Sequence, residues 1–491
     1  MRTGLTILKN TGVLLLGRVL SIALGVVYVA ALSRYIHASG MGVIATATAL
    51  VSMSALLLNF GLNDVTVRDV AVDKSRAGTY LPNLFLLRGG LFILFAVLVF
   101  AAARLAAYPP ETLTVIFIYC LAYLFDEFTN VCIAIFNAHE QMEYAAVLQT
   151  GRDLLNMGLS LAAIALKANL FVIVGVSALA SLVKLFAGLA IVKWKFVLPK
   201  PHIDLALCRH LLKVTLPFAA LLAISVLVQH MDTFILSLYR PANEVGWYGS
   251  AALLINYLLL MPSILLQAVF PVFAKFNAAS RDELKRVYSL SFKYLMILGF
   301  ALSFGTFITA DKVINLLYGP GFEQAASALR ILSVLLFWIF GYANGSFLNA
   351  TGGQTTTTKF AVLGLTLTVG LSLFITPRLG LVGAALARIT PGALFFVPMT
   401  WICHKRLDLP LPYGLALKSL VAALAMTGVS VLALQNQVSL FLVILLIAPL
   451  AYAVSLLVLG VIGRSDMELV MQMVRRKKDR GAEEATVQIR P

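Results

Sequence analysis

The sequence predicts an all-α polytopic membrane protein with about 14 transmembrane helices, arranged as two pseudo-symmetric six-helix lobes followed by two C-terminal helices. Hydrophobic residues make up 60% of the 491-residue chain and charged residues only 12%, which is far more apolar than a soluble protein of this length needs. The apolar residues recur in stretches that are long enough to cross a bilayer as helices. Two parts of the chain also match each other at a fixed offset, which indicates an internal duplication.

The apolar stretches define fourteen predicted spans, numbered in chain order. They cover 10–36, 41–62, 80–107, 112–137, 144–166, 169–193, 209–238, 244–275, 285–310, 323–350, 356–377, 381–404, 413–434 and 438–462. Span 1 superficially resembles a signal peptide, but Arg18 interrupts its apolar core and apolar residues continue to Ile36, so a retained helix is predicted. The longest connection, around 194–208, leaves no room for a soluble catalytic domain.

The duplication is visible at two offsets. At an offset of 204, seven residues are identical without a gap: Leu32, Ser33, Tyr35, Ala38, Gly42, Ala47 and Leu50 match Leu236, Ser237, Tyr239, Ala242, Gly246, Ala251 and Leu254. At an offset of 212, Asn137-Ala138 and Gly158–Leu161 match Asn349-Ala350 and Gly370–Leu373. The predicted organisation is an N-terminal lobe at 1–200, a C-terminal lobe at 201–406, spans 13 and 14 at 407–463 and a basic cytoplasmic tail at 464–491. Because each repeat holds an even number of spans, both lobes have the same orientation and their axis runs along the membrane normal.

The distribution of Lys and Arg predicts the orientation. With the N-terminus in the cytoplasm, 27 of the 38 Lys and Arg residues fall in cytoplasmic segments and 6 in outer loops, in agreement with the positive-inside rule. Both termini are therefore predicted to be cytoplasmic, in a cell inner membrane. The net charge of +16 follows from this bias, so nucleic-acid binding is not predicted.

Sequence motifs for catalysis are missing. No P-loop, HExxH, GxSxG motif or zinc ligand set occurs, so the chain is predicted not to be an enzyme, to need no cofactor and not to power transport by its own ATP hydrolysis. The cysteines lie in or beside apolar segments without metal-ligand spacing and are predicted to be small buried hydrophobes: Cys120, Cys132, Cys208 and Cys403.

Two bundles related by duplication leave a central cleft, where alternating-access transporters place their substrate. Polar residues on one helical face of span 1 and of span 7 are predicted to line this cleft: Arg18, Ser21, Gly25 and Tyr28, and Ser225, Gln229 and Asp232. Ser225 falls on Ser21 at the offset of 204, whereas Leu222 falls on Arg18. The cleft is therefore predicted to be chemically asymmetric.

Cationic residues inside spans cost roughly 2.5–3.5 kcal/mol each at a helix centre on insertion scales. Five occur: Arg18, Arg152, Lys184, Arg330 and Arg388. All except Arg152 are predicted to bind an anion in the central cavity, and a pyrophosphate head group suits several distributed cations. Snorkelling of Arg18 and interface anchoring of Arg330 and Arg388 remain open. So does neutralisation of Arg152 by nearby carboxylates.

Asp232 and three prolines are further candidates. A carboxylate inside a membrane is a functional candidate by default; Asp232 is predicted either to couple transport to an H⁺ or Na⁺ gradient or to be a structural partner of an Arg or a hydroxyl. Pro262 and Pro271 are predicted to break span 8, and Pro391, with Gly392, to break span 12. Such breaks permit gating, although kinks also occur in static membrane proteins.

Six segments carry a family resemblance: LSRYIHASGMG, NFGLNDVTVRDVA, TLPF at 215–218, MDTFILSLY with VGWYGSA, QAVFPVFAKF, and KVINLLYGPGFEQAASALRIL. In their order and spacing the chain, up to about residue 404, resembles a polysaccharide-repeat-unit flippase of the O-antigen type. These flippases belong to the multidrug/oligosaccharidyl-lipid/polysaccharide exporter superfamily, whose members are bundles of twelve or fourteen helices with a central cavity.

The resemblance implies translocation of an undecaprenyl-pyrophosphate-linked oligosaccharide from the inner to the outer leaflet, for the assembly of a surface polysaccharide such as lipopolysaccharide. It also implies that Asp232 occupies the position of a recurrent acidic residue and that Arg18 matches a cationic residue of lipid-carrier flippases. Spans 13 and 14 resemble those that form a lipid-tail groove in lipid II flippases, although they carry no distinctive motif here. The implied partners are membrane lipids, a polysaccharide polymerase and a chain-length regulator, with the flippase itself a monomer.

Three other functions stay open. A lipid II flippase of the same fold would have a more cationic region in spans 1 and 2, where only Arg18 lies within the membrane. A cation-coupled multidrug exporter, an antiporter, would normally lack spans 13 and 14 and the cationic cleft. A membrane glycosyltransferase or polymerase would need a large outer loop with catalytic carboxylates.

Overall fold

The structure, a computed structural model, describes the backbone of residues 2–59, 61–196 and 203–463. Within these ranges, side chains are described from residue 25 onwards, except at 216–222 and 268. The predicted basic tail at 464–491 lies outside the described residues. So do the side chains of Arg18, Ser21 and Leu222.

The described chain is helical almost throughout, and no strand occurs in it. The α-helices are α1 Arg2–Ser54, α2 Leu56–Asn59, α3 Leu62–Val72, α4 Ala77–Leu105, α5 Pro110–Ala138, α6 Met142–Ala165, α7 Leu170–Ile191, α8 Leu205–Tyr239, α9 Ala242–Ala279, α10 Arg281–Tyr318, α11 Glu323–Leu332, α12 Val334–Phe337, α13 Gly341–Ala350, α14 Gln354–Leu379, α15 Leu381–Leu407, α16 Tyr413–Gln435, α17 Leu440–Leu442 and α18 Ala448–Val458. Short π-helical turns follow α7 at Val192–Phe196 and α17 at Val443–Ile447.

This architecture confirms the predicted all-α polytopic membrane fold. Among the described residues, eleven helical stretches are long and apolar enough to cross a membrane. One of them, Gly25–Val72, contains parts of both span 1 and span 2. The two remaining predicted spans coincide with α6 and with α8, whose described apolar part is Ala223–Tyr239.

Helix α1 contains two predicted spans joined at a break. His37 has non-helical dihedral angles, φ 58° and ψ −175°, within the otherwise helical stretch. At the offset of 204, His37 corresponds to Pro241, which lies between α8 and α9. The chain therefore changes direction at equivalent points of the two repeats, once through a strained residue and once through a proline.

The continuity of three helices differs from the prediction. Span 10 was predicted as one helix, but it is divided into α11, α12, a 3-10 turn at Trp338–Phe340 and α13. Conversely, α9 continues through Pro262 and Pro271, and α15 continues through Pro391. A proline removes one backbone donor and bends a helix, but it does not end the helix where the neighbouring turns remain hydrogen-bonded.

The described chain forms two compact units. Among the described residues, the first unit lies within 2–257, 311–332 and 354–395, and the second within 258–310, 333–353 and 396–463. The predicted C-terminal lobe contributes to both units. The predicted division into lobes stays a prediction from the internal duplication.

The first unit has an apolar core where α1, α4 and α5 pack together. Phe95 and Val99 of α4 and Val115 of α5 are fully buried there with Ala47 and Val51 of α1. The opposite side of α4 exposes large apolar side chains, including Ile93 and Val97. Lipid tails are as apolar as these side chains, so a helix can bury one face in protein and expose the other to the bilayer.

The second unit is centred on buried aromatic and polar side chains. The Tyr288 hydroxyl of α10 donates to Asn344 Oδ1 of α13 at 2.7 Å, and Asn344 Nδ2 donates to Thr400 Oγ1 of α15 at 2.9 Å. The Tyr452 hydroxyl of α18 donates to the carbonyl of Ile297 at 2.9 Å. These bonds satisfy polar groups that would otherwise be costly inside a bilayer.

Candidate functional site

Asp232 of α8 is the centre of a buried polar cluster in the first unit. Its carboxylate is fully buried and forms an ion pair with Arg388 of α15, whose Nη1 lies 3.0 Å from Asp232 Oδ2. The Tyr248 hydroxyl of α9 donates to the same oxygen at 2.5 Å. The backbone N–H of Thr233 donates to Oδ1 at 2.6 Å. Both carboxylate oxygens are thus hydrogen-bonded, and the charge is balanced by a cation.

Arg388 is held from a second side. Its Nη2 donates to Asn256 Oδ1 of α9 at 2.9 Å, and the Arg388 side chain is only 8% exposed. Tyr248 and Asn256 are eight residues apart, about two helical turns, so they lie on one face of α9. The structure therefore favours the interpretation of Asp232 as a structural partner of an arginine, while coupling to an ion gradient stays a prediction.

Lys184 of α7 belongs to a second polar cluster, in the N-terminal lobe. Its Nζ lies 3.0 Å from Asp126 Oδ1 of α5 and 3.0 Å from Gln149 Oε1 of α6. The Ser181 hydroxyl donates to Asp126 Oδ2 at 3.1 Å. The ammonium is buried, whereas the Asp126 side chain is 25% exposed.

Arg152 of α6 joins this second cluster. Its Nη2 lies 3.8 Å from Asp126 Oδ2, and its Nη1 lies 3.4 Å from Asp153 Oδ1. Two cations and two carboxylates therefore neutralise one another, which confirms neutralisation as the better interpretation of Arg152. We refer to Asp126, Gln149, Arg152, Asp153, Ser181 and Lys184 as the N-lobe charge cluster.

Tyr28 of α1 is the residue that corresponds to Asp232 at the offset of 204. It is partly buried and lies near Asn156, Ser160 and Arg152 of α6. The two repeats thus place a polar side chain at the same position of their first helix. In one repeat this side chain is a phenol, and in the other it is a carboxylate, which agrees with the predicted chemical asymmetry.

Arg330 of α11 lies in a different environment. It forms an ion pair with Asp311 of α10, and the two side chains are 39% and 60% exposed. This exposure agrees with the anchoring alternative better than with a buried anion site. Arg330 is not part of either polar cluster.

The remaining predicted residues are spread over three helices. Ser225 and Gln229 are exposed on α8, about two turns and about one turn, respectively, before the buried Asp232. Pro262 and Pro271 lie inside α9, and Pro391 of α15 lies beside Gly364 of α14. A gating role for the prolines stays a prediction, as does lining of the cavity by Arg18 and Ser21.

The sequence analysis missed the pair formed by Arg88 and Glu127. Arg88 was counted among the cytoplasmic charges, yet its side chain is 1% exposed within α4, and its Nη1 lies 2.7 Å from Glu127 Oε2 of α5. Its Nη2 donates to Asn63 Oδ1 at 2.6 Å. The adjacent carboxylates Asp126 and Glu127 inside span 4 were the available signal, because two buried negative charges require two cationic partners.

Comparison with known families identifies the chain. Residues 7–277, more than half of the chain, match the model of the family described as polysaccharide biosynthesis protein. The chain belongs to this polysaccharide biosynthesis family. An uncharacterised membrane protein of Methanocaldococcus jannaschii is 22% identical over 187 residues, which cover 38% of this chain and 37% of that protein. The match therefore spans well under half of that relative.

Solved structures share the fold of this family member. The lipid II flippase MurJ, in an inward closed conformation, superposes with a TM-score of 0.73 at 14% identity, covering 90% of this chain and 97% of MurJ. An inward-facing multidrug resistance MATE transporter of the MOP superfamily gives 0.59 at 19% identity, covering 79% and 95%. A MOP superfamily transporter from Pyrococcus furiosus gives 0.52 at 18% identity, covering 82% and 95%.

These similarities confirm the predicted superfamily fold. At such identities they establish the architecture alone. The titles of these neighbours name a flippase and transporters. The protein is thus a multi-pass membrane protein of a polysaccharide biosynthesis family.

Proposed function

We propose that the protein is a flippase that moves an undecaprenyl-pyrophosphate-linked oligosaccharide from the inner to the outer leaflet. The match to the polysaccharide biosynthesis family carries this proposal. The fold shared with a lipid II flippase supports it, because that protein is also named for moving a lipid-linked saccharide. In this proposal the protein lies in the inner membrane with both termini in the cytoplasm and works by alternating access. It acts as a monomer together with a polymerase and a chain-length regulator.

The head group is proposed to bind at the N-lobe charge cluster. Its two cations are already paired, so an anionic pyrophosphate has to compete with Asp126 and Asp153 for them. A substrate can reach this pair, because the side chains of Arg152 and Asp126 are 22% and 25% exposed. Arg binds phosphate oxygens in a bidentate manner and Lys adds a point charge.

Arg388 is proposed to play a different part from Lys184. The pair of Arg388 and Asp232 is enclosed by Tyr248 and Asn256, and it lacks the partial exposure of the N-lobe charge cluster. A substrate anion would have to break four satisfied interactions there. We therefore place the head group in the N-terminal lobe and assign Arg388 to the stability of the C-terminal lobe.

Deletion of the gene in its host tests the function. We expect an intact undecaprenyl-pyrophosphate oligosaccharide to accumulate in the inner leaflet, together with loss of a surface polysaccharide. Accumulation of lipid II instead would identify a lipid II flippase, which the TM-score of 0.73 also fits. A normal carrier pool with new sensitivity to cationic drugs would identify a multidrug exporter.

Complementation with variants tests the site. Lys184→Ala should abolish export while the protein remains in the membrane, whereas Lys184→Arg should retain part of it because the positive charge is kept. Arg330→Ala is the matched control, since Arg330 forms an exposed pair with Asp311, and it should leave export unchanged. Export that survives Lys184→Ala together with Arg152→Ala would contradict the proposed site.

A further inference from the structure

Helix α7 ends in a π-helical turn, Val192–Phe196, with the sequence VKWKF. Its three central residues, Lys193, Trp194 and Lys195, are exposed, and Trp194 is 83% exposed. From Leu170, the first residue of α7, to Trp194 the chain advances about 36 Å at helical rise, enough to cross the ~30 Å hydrocarbon core. The turn therefore lies at a membrane–water interface, on the side that the distribution of Lys and Arg predicts to be cytoplasmic.

The ammonium group of Lys195 is held by aromatic side chains. Its Nζ donates to the Tyr144 hydroxyl of α6 at 2.5 Å. The same Nζ lies 5.0 Å from the centre of the Tyr144 ring and 5.7 Å from the centre of the Trp194 ring. A cation within about 6 Å of an aromatic ring centre is attracted by the face of the ring. The charge is thus fixed in place at an exposed position.

A cluster of rings beneath the turn fixes Tyr144 in turn. The ring centre of Phe196 lies 5.9 Å from that of Tyr144 and 5.2 Å from that of Phe136, a buried residue of α5. The rings of Phe136 and Tyr144 are themselves 5.7 Å apart, and His139 packs against Phe196 at 4.9 Å. The position of the Lys195 ammonium is therefore built by packing at the ends of α5, α6 and α7.

This charge has unused hydrogen-bonding capacity. Of the three N–H donors of Lys195, one goes to the phenol, and the indole N–H of Trp194 has no partner among the described residues. Within the described part of the chain, neither Lys193 nor Lys195 forms an ion pair, although Glu140 and Glu143 lie in the preceding connection and helix start. The donors and the positive charge therefore suit an anion that comes from outside the chain.

The corresponding end of the second repeat carries a simpler version of this arrangement. Lys405 of α15, which matches Lys193 at the offset of 212, places its Nζ 4.9 Å from the ring centre of Trp401. Trp401 is 51% exposed. No hydroxyl group holds the Lys405 ammonium among the described residues. The pair in α15 resembles an ordinary interfacial anchor, whereas the lysine in α7 is held from two sides.

We propose that the turn at Val192–Phe196, together with Tyr144, binds the head group of an anionic phospholipid of the inner leaflet. The lipid phosphate accepts hydrogen bonds from Lys195 and from the indole N–H of Trp194, and Lys193 adds a second positive charge. We favour a lipid over a soluble anion because an indole as exposed as Trp194 is stable at a bilayer interface, where its ring contacts lipid and its N–H contacts polar groups. π-Helical turns are rare and frequently occur at functional sites. The site does not depend on the proposed flippase function.

Quenching of Trp194 fluorescence by brominated lipids tests the site. The full-length protein is placed in phosphatidylcholine bilayers that contain brominated phosphatidylglycerol or brominated phosphatidylcholine at the same mole fraction. Since the chain has four tryptophans, the signal of Trp194 is the difference between each protein and the same protein carrying Trp194→Phe. We expect brominated phosphatidylglycerol to quench this signal more strongly than brominated phosphatidylcholine.

Substitutions of Lys195 separate a specific site from general attraction. Lys195→Gln should lower the apparent affinity for phosphatidylglycerol by about fivefold, the factor expected for one cation beside an anionic lipid surface. Lys195→Arg should keep the preference because the charge is kept. Lys405→Gln is the matched control, since it removes a lysine from the equivalent end of the other repeat and should leave the quenching of Trp194 unchanged.

Thermal unfolding in detergent provides a second measurement. Added phosphatidylglycerol should raise the unfolding temperature of the wild-type protein more than that of Lys195→Gln, because a ligand that binds the native state stabilises it. Without lipid the two proteins should unfold at similar temperatures, which shows that the variant is folded. Equal quenching of Trp194 by the two brominated lipids would overturn the proposal, as would an undiminished preference in Lys195→Gln or an equal loss in Lys405→Gln.

Discussion

Neither the charge of Asp232 nor that of Arg388 could be buried without the other. An isolated charge in the middle of a bilayer is costly, and the loss of one partner of a buried pair leaves the other uncompensated. The Tyr248 hydroxyl and the Asn256 side chain satisfy the remaining hydrogen-bonding groups. The four side chains therefore fix the relative positions of α8, α9 and α15.

Removal of one charge of this pair is expected to lower stability. Arg388→Gln and Asp232→Asn should each reduce the free energy of unfolding by about 3–5 kcal/mol, because each leaves a buried unpaired charge. The double variant should cost less than the sum of the two single variants, since no charge is left unpaired. Thermal unfolding in detergent, followed for all four proteins, measures this difference.

Arg330 is the control for this measurement. Its pair with Asp311 is largely exposed, and such pairs contribute about 0–1 kcal/mol, so Arg330→Gln should barely change the unfolding temperature. If Asp232→Asn instead kept full stability and lost export, ion coupling through Asp232 would replace the structural interpretation.

Sequence reasoning found both Asp232 and Arg388 but not their pairing, because 156 residues separate them and no local pattern links residues that far apart.

At the scale of helices, hydrophobicity predicted where the chain crosses the membrane better than where helices stop. Most predicted spans agree with helices to within a few residues, because a run of apolar residues in lipid has to satisfy its backbone as a helix. Hydrophobicity gives no sign of the interruption of span 10. Ser333 and Trp338–Phe340 lie in an apolar sequence that would suit a continuous helix equally well, so tertiary packing decides the break.

Gly299 of α10 provides the space for that break. A Cβ atom on Gly299 would lie 2.7 Å from the carbonyl oxygen of Leu336 and 3.3 Å from that of Phe337. Gly299→Val should therefore force α10 away from the interrupted segment and destabilise the protein by about 1–3 kcal/mol, the usual cost of overpacking. The shift in unfolding temperature of the purified protein measures the effect.

Gly305 lies on the same helix and makes a matched control. A Cβ atom there meets nothing within 4 Å, so Gly305→Val should change stability by much less than Gly299→Val. Equal losses for the two variants would mean that β-branching in α10, rather than contact with the break, causes the effect. Greater stability of Gly299→Val would contradict the close approach itself.

At the scale of the whole molecule, the internal duplication was the most informative feature of the sequence. It predicted two related lobes, and equivalent residues of the two repeats do meet: a Cβ atom on Gly42 would overlap the carbonyl oxygen of Ala242, and one on Gly246 would overlap that of Ala38. It did not predict the chemistry of the lobes, because Tyr28 and Asp232 are equivalent in position and different in character. The charge pairing within each lobe therefore does not follow from the duplication and had to be observed in the structure.

The same duplication makes a prediction about orientation across the membrane. Because each repeat contains an even number of spans, the loops at Lys167 and Arg378 should face the same side, opposite to Lys193 and Lys285. The paired, buried Arg88 does not count as a cytoplasmic charge, and its removal leaves 26 of the 38 Lys and Arg residues on the predicted cytoplasmic side against 6 outside. The charge bias is thus almost unaffected.

Single cysteines at these four positions measure the orientation. Lys167→Cys and Arg378→Cys should react with a membrane-impermeant maleimide in intact cells, whereas Lys193→Cys and Lys285→Cys should react only after the membrane is permeabilised. Reaction of Lys167→Cys but not of Arg378→Cys would mean that the two repeats are inverted relative to each other. In that case the axis that relates the two repeats would lie in the membrane plane and not along the membrane normal.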